Sequence, residues 1–178
     1  MTTKEKLLAL LEDSKGTFFS GEEIARTLQV SRAAVWKAVN ALREDSYTID
    51  AATNKGYRLS PDSDILSPQG IRRFLKPEYR DLDLTVLPTA PSTNALVREK
   101  ANQGCPEGCI IIACEQTDGR GRYGRQFFSP GDTGVYLSLL LRPTAYSPQQ
   151  ATCLTAAAAA AMCQAIEAVT GQQPGIKW

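Results

Sequence analysis

Apolar residues recur at helical spacing as far as Arg43, and in strand-length runs and one longer helical stretch thereafter. Leu7, Leu8, Leu10 and Leu11 share one side of a helix expected over Thr3 to Asp13, which Gly16 and Thr17-Phe18 end. Ser20-x-x-Glu23 reads as a capping box that opens a second helix bearing Ile24, Ala25 and Leu28. Ser31 caps a third helix to about Arg43, with Val35, Trp36, Val39 and Leu42 on its apolar side and Trp36 as a core anchor. Tyr47 to Ala51 then alternates, Thr53-Asn54-Lys55-Gly56 turns, and Tyr57-Arg58-Leu59 returns. Three helices and a hairpin predict a winged helix-turn-helix over residues 1–60.

The pattern changes after Ser60. Residues 61–66, with Pro61 among polar neighbours, read as a linker to a second domain over 67–178. Ser67-Pro68 starts a short helix with Ile71, Phe74 and Leu75 turned inward. Leu82 to Leu87 reads as a strand, Pro88 to Pro91 as a rigid loop, and Ser92-Thr93-Asn94 as the start of a helix to about Asn102. Cys109 to Cys114 is a short apolar strand buried on both faces. Val135 to Leu141 is another apolar strand, and a long helix runs from Ser147-Pro148 to about Val169, stopped by Thr170-Gly171. The fold class is therefore α+β: a winged helix-turn-helix followed by a mixed sheet-and-helix domain.

Composition narrows the chemistry. A chain of 178 residues, 43% hydrophobic and 22% charged, suits one mid-sized domain, or a small domain with part of a larger one. The net charge of +1 gives no global nucleic-acid signal, so DNA contacts must come from local patches. The absence of histidine excludes Ser-His-Asp and Cys-His catalysis and Cys2His2 fingers. Five cysteines without a secretion signal read as reduced thiols. Cys105, Cys109 and Cys114 lie close together but lack zinc-ligand spacing, so no metal is assigned. No apolar run approaches the roughly 20 residues needed to span a bilayer. The expectation is a cytoplasmic protein without a membrane partner.

On the third helix, Ser31, Arg32, Ala33 and Lys37 occupy the end that a recognition helix presents to the major groove. Lys55 and Arg58 sit on the wing, within reach of phosphates. The module balances nine Lys/Arg against eight Asp/Glu, so a protein-interaction winged helix stays open as the bland alternative.

Between the two later strands lies Gln116 to Pro130, with three glycines and three arginines in the seven residues Gly119 to Arg125. Glycine permits close backbone approach and arginine offers a planar donor fork, which suits a small anionic ligand. Gly119-x-Gly121-x-x-Gly124 matches the dinucleotide fingerprint in form, but a strand and not a helix follows. A Walker-type Gly-Lys-Ser/Thr is absent. A structural hairpin with a solvated arginine face stays open.

Ser92-Thr93-Asn94, Glu115-Gln116-Thr117, Gly119-Arg120-Gly121-Arg122-x-Gly124-Arg125, Phe128-Ser129-Pro130 and Lys177-Trp178, in this order, resemble the biotin protein ligase family. With the winged helix ahead of them they resemble its bifunctional ligase and repressor type, over the whole chain. The resemblance implies part of a class II synthetase-like ligase domain. It implies formation of biotinyl-5′-adenylate from biotin and ATP, aided by Mg²⁺, and transfer to a lysine of a biotin carboxyl carrier protein. It also implies binding to operator DNA and pairing as a homodimer. Ser92, Thr93, Asn94, Gln116, Gly119, Arg120, Arg122 and Lys177 would then contact biotin. Arg120, Arg122, Arg125 and Phe127 would contact ATP or the adenylate, and Arg122 and Lys177 would be the catalytic pair. Family members continue after Lys-Trp with Pro-Asn-Asp and further strands, so a chain ending at Trp178 is expected to leave the sheet incomplete. A DNA-binding biotin sensor with an inactive ligase part, or a lipoate-type acyl ligase, are the alternatives.

Overall fold

The computed structural model describes residues 1–144, 147, 150 and 152–176. They fall into two compact units, Met1–Leu140 and Leu141–Trp178. The first unit opens with α1 (Thr3–Asp13), α2 (Gly21–Leu28) and α3 (Arg32–Glu44), followed by an antiparallel hairpin of β1 (Ile49–Ala52) and β2 (Gly56–Leu59). Leu7, Leu8 and Leu11 of α1, Ile24 of α2 and Val35, Val39 and Leu42 of α3 close a core with Ile49 and Leu59. Burial of these side chains is what holds three short helices together, because none is long enough to persist alone.

Side-chain caps set the helix starts. A reciprocal capping box forms at Thr2 and Glu5 of α1, where Thr2 N donates to Glu5 Oε2 at 2.7 Å. Ser20 caps α2 through Glu23 N at 3.0 Å, without the reciprocal bond expected of Ser20-x-x-Glu23. Trp36 departs from its expected place: it is 58% exposed. The buried stripe of α3 runs Val35, Ala38, Val39, Leu42, and a residue one step from Val35 is turned about 100° away from it.

The segment 61–66 does not float. Lys15 Nζ donates to the Ser63 carbonyl, and Ser67 Oγ donates to the buried Glu12 carboxylate at 3.1 Å. Ser67 also caps α4 (Pro68–Arg72) through Gly70 N. Because α4 lasts only five residues, no helical stripe reaches Phe74, which is exposed and not inward as expected.

The three-stranded sheet has the order β3-β4-β5, from β3 (Leu84–Ala90), β4 (Ile110–Gln116) and β5 (Tyr136–Leu139). β3 and β4 are parallel, joined by the crossover helix α5 (Thr93–Asn102), and β4 and β5 are antiparallel. β3 runs through Pro88, where a loop was expected. It lies at the sheet edge, and the pairing passes from Leu87↔Ala113 to Thr89↔Glu115 around the proline. β4 buries Ile111, Ile112 and Ala113. β5 is shorter than the expected Val135–Leu141, and Leu137 and Leu139 on its outer face are exposed.

In the second unit, α6 runs Thr152–Thr170 and ends at Gly171, whose N–H returns to the Glu167 carbonyl at 2.8 Å. Pro148, expected at its start, lies outside the described residues. Cys153–Thr170 is long and apolar enough, by length and composition alone, to cross a membrane. Its apolar residues include Leu154, Met162, Ile166 and Val169 beside the alanines, with Gln164 and Glu167 among them.

Candidate functional site

The carboxyl ends of β3 and β4 open onto a cleft of about 690 Å³, a volume suited to a small molecule. Its floor is built from three elements. α5 presents Ser92, Thr93 and Asn94 at its N-terminus, β4 presents Gln116, and β5 presents Tyr136 and Ser138. Arg120, Phe127 and Phe128 stand along one wall.

Gln116 is the hub. Its Oε1 accepts from Thr93 N at 2.9 Å and from Thr93 Oγ1 at 3.1 Å, and its Nε2 donates to Ser129 Oγ at 3.0 Å. A helix start leaves N–H groups without intrahelical partners. Here Ser92 makes no side-chain capping bond to α5, and Gln116 caps the helix from the neighbouring strand instead. Ser92, buried to 4% exposure, thus keeps its hydroxyl out of capping while lining the cleft. Thr93 Oγ1 also lies 2.9 Å from Ser138 Oγ, which ties α5 to β5.

The Gly/Arg segment folds as a hairpin above this floor. Gln116 pairs with Ser129, Arg120 with Gln126, and Gly121 N donates to the Arg125 carbonyl at 2.7 Å. Tyr123 (φ 58°) and Gly124 (φ 73°) at the tip both take the left-handed conformation that tight hairpin turns favour. Gly119 sits where a Cβ would lie 2.4 Å from the Phe127 carbonyl oxygen, so only glycine fits between the hairpin arms. No helix follows the glycines, which removes the dinucleotide reading. Arg120 forks onto Asp118 Oδ2 at 2.9 and 3.2 Å, and both groups are solvent-exposed.

Of the residues expected to bind ligand, Ser92, Thr93, Asn94, Gln116, Arg120 and Phe127 line the one cleft. Gly119 is buried and Arg125 exposed, and neither is part of its lining. Lys177 and the side chain of Arg122 lie outside the described residues. Tyr136 and Ser138 were missed. Their signal was two polar groups at alternate positions of an otherwise apolar strand, which places both on one face. Tyr136 donates to the Pro130 carbonyl at 3.0 Å and meets the Phe127 ring edge-on at 6.4 Å.

On the winged helix, Arg32, Ala33, Lys37 and Lys55 are exposed, and Ser31 Oγ accepts from Ala34 N as the cap of α3. Trp36 and Arg32 line a groove between α3 and the wing with Asn54 and Tyr57. Arg58 is less available than expected: Nε holds Asp50 Oδ2 at 2.8 Å, and its guanidinium lies 4.7 Å from the Phe18 ring centre.

Residues 3–58 match a model described as an HTH domain, and residues 86–178 match the Biotin/lipoate A/B protein ligase family. The chain is 40% identical over 177 residues to proteins named Bifunctional ligase/repressor BirA from Bacillus spizizenii and Bacillus subtilis. It is 32% identical to the protein of that name from Escherichia coli. In the Bacillus alignments 99% of this chain is covered but 54% of the relative, so the chain spans about half the length of these relatives.

Proposed function

Since the chain belongs to the Biotin/lipoate A/B protein ligase family and carries an HTH domain, we propose that it is a biotin ligase module joined to a DNA-binding repressor module. The boundary falls in the segment 61–66. The observation that carries the reading is the convergence of Ser92, Thr93, Gln116 and Arg120 in one cleft beneath a glycine-arginine hairpin.

In this proposal the polar floor takes the uncharged ureido end of biotin, which needs both donors and acceptors. Ser92 contributes a hydroxyl that caps nothing else, and Thr93 and Gln116 contribute groups already aligned by their mutual bonds. The biotin carboxylate then lies toward the arginine hairpin. Its oxygen attacks the α-phosphorus of ATP, the bond to pyrophosphate breaks, and biotinyl-5′-adenylate forms. Two anions meet in this step, so cations that neutralise the developing charge lower the barrier. Arg120 stands at the wall for this task, with Arg122 and Arg125 on the same hairpin and Lys177 as a further cation. Phe127 offers a flat apolar surface to the adenine or to the adenylate. In the second step a carrier lysine amine attacks the acyl carbon and AMP leaves. Among the described residues no carboxylate lines the cleft, so the lining does not fit a Mg²⁺ ion.

The winged helix reading rests on the exposed N-terminal turns of α3, where Arg32 and Lys37 face outward, and on Lys55 at the wing tip. A carboxyl carrier protein, a palindromic operator, a homodimer and a cytoplasmic location follow as parts of the same proposal.

Calorimetric titration with biotin, with lipoate, and with each plus ATP tests the ligand. Biotin heat that deepens with ATP is expected. Lipoate heat without biotin heat, from folded protein, overturns the assignment. Operator retention on a filter that weakens steeply with salt is expected of the repressor module. Equal retention of unrelated DNA overturns it.

A further inference from the structure

At the opposite end of the sheet from the cleft, three side chains converge that the ligase reading does not use. Asp83 immediately precedes β3 and Cys109 immediately precedes β4. The strands are parallel with Leu84 opposite Ile110, and Ile110 N donates to the Asp83 carbonyl at 2.8 Å, so residues 83 and 109 start side by side. Cys109 is further fixed by its carbonyl, which accepts from Leu140 N at 2.9 Å. Cys105 arrives from the turn after α5. Gly104 (φ 85°) and Gly108 (φ 92°) bend that turn back, and Cys105 N donates to the Lys100 carbonyl at 3.0 Å. The seven-residue β4 puts this cluster roughly 20 Å from Gln116 and the cleft.

Cys105 Sγ lies 3.7 Å from Asp83 Oδ2, and one ligand atom from each of Asp83, Cys105 and Cys109 falls within 4.8 Å of the others. A tetrahedral zinc with Zn–S of about 2.3 Å and Zn–O of about 2.0 Å sets S···O near 3.5 Å and S···S near 3.8 Å. The cluster therefore needs only small side-chain rotations to close on an ion. Cys105 and Cys109 have three residues between them, inside the two-to-four gap of zinc-binding cysteine pairs. This corrects the expectation that these cysteines lack zinc-ligand spacing, and the third group of the cluster is Asp83 and not Cys114. Charge also closes: two thiolates and a carboxylate meet a divalent ion and the Lys100 ammonium, which sits 2.6 Å from Asp83 Oδ2. Cys105 and Lys100 both meet Asp83 Oδ2, so the carboxylate must turn to give one oxygen to the ion and the other to Lys100.

We propose that Asp83, Cys105 and Cys109 form a binding site for one thiophilic divalent cation of the zinc type, with a solvent molecule in the fourth position. Thiolate ligands select such ions over magnesium or calcium. Binding replaces the two thiol protons by the ion and pins the turn after α5 to the starts of β3 and β4.

The test uses the full chain, metal-stripped and kept reduced with a phosphine, titrated with cobalt(II) alone and then with zinc(II). One cobalt per chain should bind with a sulfur-to-cobalt charge-transfer band, one zinc should displace it, and zinc should raise Tm. Cys109 is buried and its replacement perturbs the strand start, so Cys105→Ser and Asp83→Asn, at more exposed positions, decide the matter. Cys105→Ser should abolish the band and Asp83→Asn should weaken binding at least tenfold, with the metal-free circular dichroism of each unchanged. Cys114→Ser, Cys153→Ser and Cys163→Ser should leave it intact. No band in the reduced parent, a band that survives Cys105→Ser, full affinity in Asp83→Asn, or loss of the band in Cys153→Ser or Cys163→Ser overturns the site.

Discussion

Replacing Gln116 by leucine removes the side chain that caps α5 from the adjacent strand. The change keeps approximate volume but deletes three hydrogen bonds, to Thr93 N, Thr93 Oγ1 and Ser129 Oγ. Two of the lost partners are hydroxyls, which can rotate to other acceptors. Ser129 Oγ already donates to the Phe127 carbonyl at 2.9 Å, and Thr93 Oγ1 lies against Ser138 Oγ. The Thr93 N–H cannot rotate, and Ser92 offers it no side-chain cap. Leaving one partly buried amide without an acceptor costs about 1–3 kcal/mol, and the hydroxyl bonds add on the order of 1 kcal/mol together. The sum is about 2–4 kcal/mol for Gln116→Leu. Gln116→Glu retains the acceptor and brings a negative charge to a helix N-terminus, where it is favoured. Its cost should stay within about 1 kcal/mol, since Ser129 can turn to donate. Urea unfolding of both variants, with hydrogen exchange at the Thr93 amide, measures the difference. Equal costs for leucine and glutamate, or unchanged Thr93 exchange in the leucine variant, would refute the cross-strand cap.

Other outcomes follow from single contacts. Gly119→Ala puts a Cβ 2.4 Å from the Phe127 carbonyl and 2.7 Å from Ser129 Oγ, so the hairpin must open and, on the proposed function, biotin affinity should fall on the order of tenfold to a hundredfold by calorimetry. Gly56→Ala places a Cβ 2.0 Å from the Phe19 carbonyl at φ 95°, and should cost about 2–4 kcal/mol in thermal unfolding while detaching the wing from Phe19. The Tyr47 phenol is held above its usual value, first by burial and then by the Glu12 and Asp45 carboxylates, against a hydrogen bond with Ser67 that lowers it. Its stabilising contribution is therefore complete below the ordinary phenol value near 10 and is lost as pH rises through the raised folded value. Unfolding monitored between neutral and strongly alkaline pH should show that loss, and Tyr47→Phe should remove it. In the metal-free protein, burial first and then Cys105 push the Cys109 thiol up to about 11, so alkylation followed by mass spectrometry should label exposed Cys153 well before Cys109.

The linear sequence was sufficient where a signal is local. The spacing of Leu7, Leu8 and Leu11, the caps at Ser20, Ser31 and Ser67, and the Ile110–Ala113 run specified elements that fold as expected. The grouping of Ser92, Thr93, Gln116 and Arg120 around one cleft was also legible, because they carry unusual chemistry in a fixed order. What depends on a neighbour was not. Trp36 has the composition of a core residue, and only the rotation of α3 against α1 and α2 leaves it in an open groove. Pro88 ends strands in general, and only its place on the sheet edge lets β3 continue. Glu12 is a charge in a helix pattern, and it is buried because Ser67 and Arg73, more than fifty residues later in the chain, meet it. The same reason separates the two sites. Hydrophobic period and capping act over three or four residues, so the sequence determines them by itself. Asp83 meets Cys109, and Gln116 meets Thr93, across the parallel pair that the α5 crossover makes. Only tertiary packing sets that register, and with it the pairing of groups that lie more than twenty residues apart.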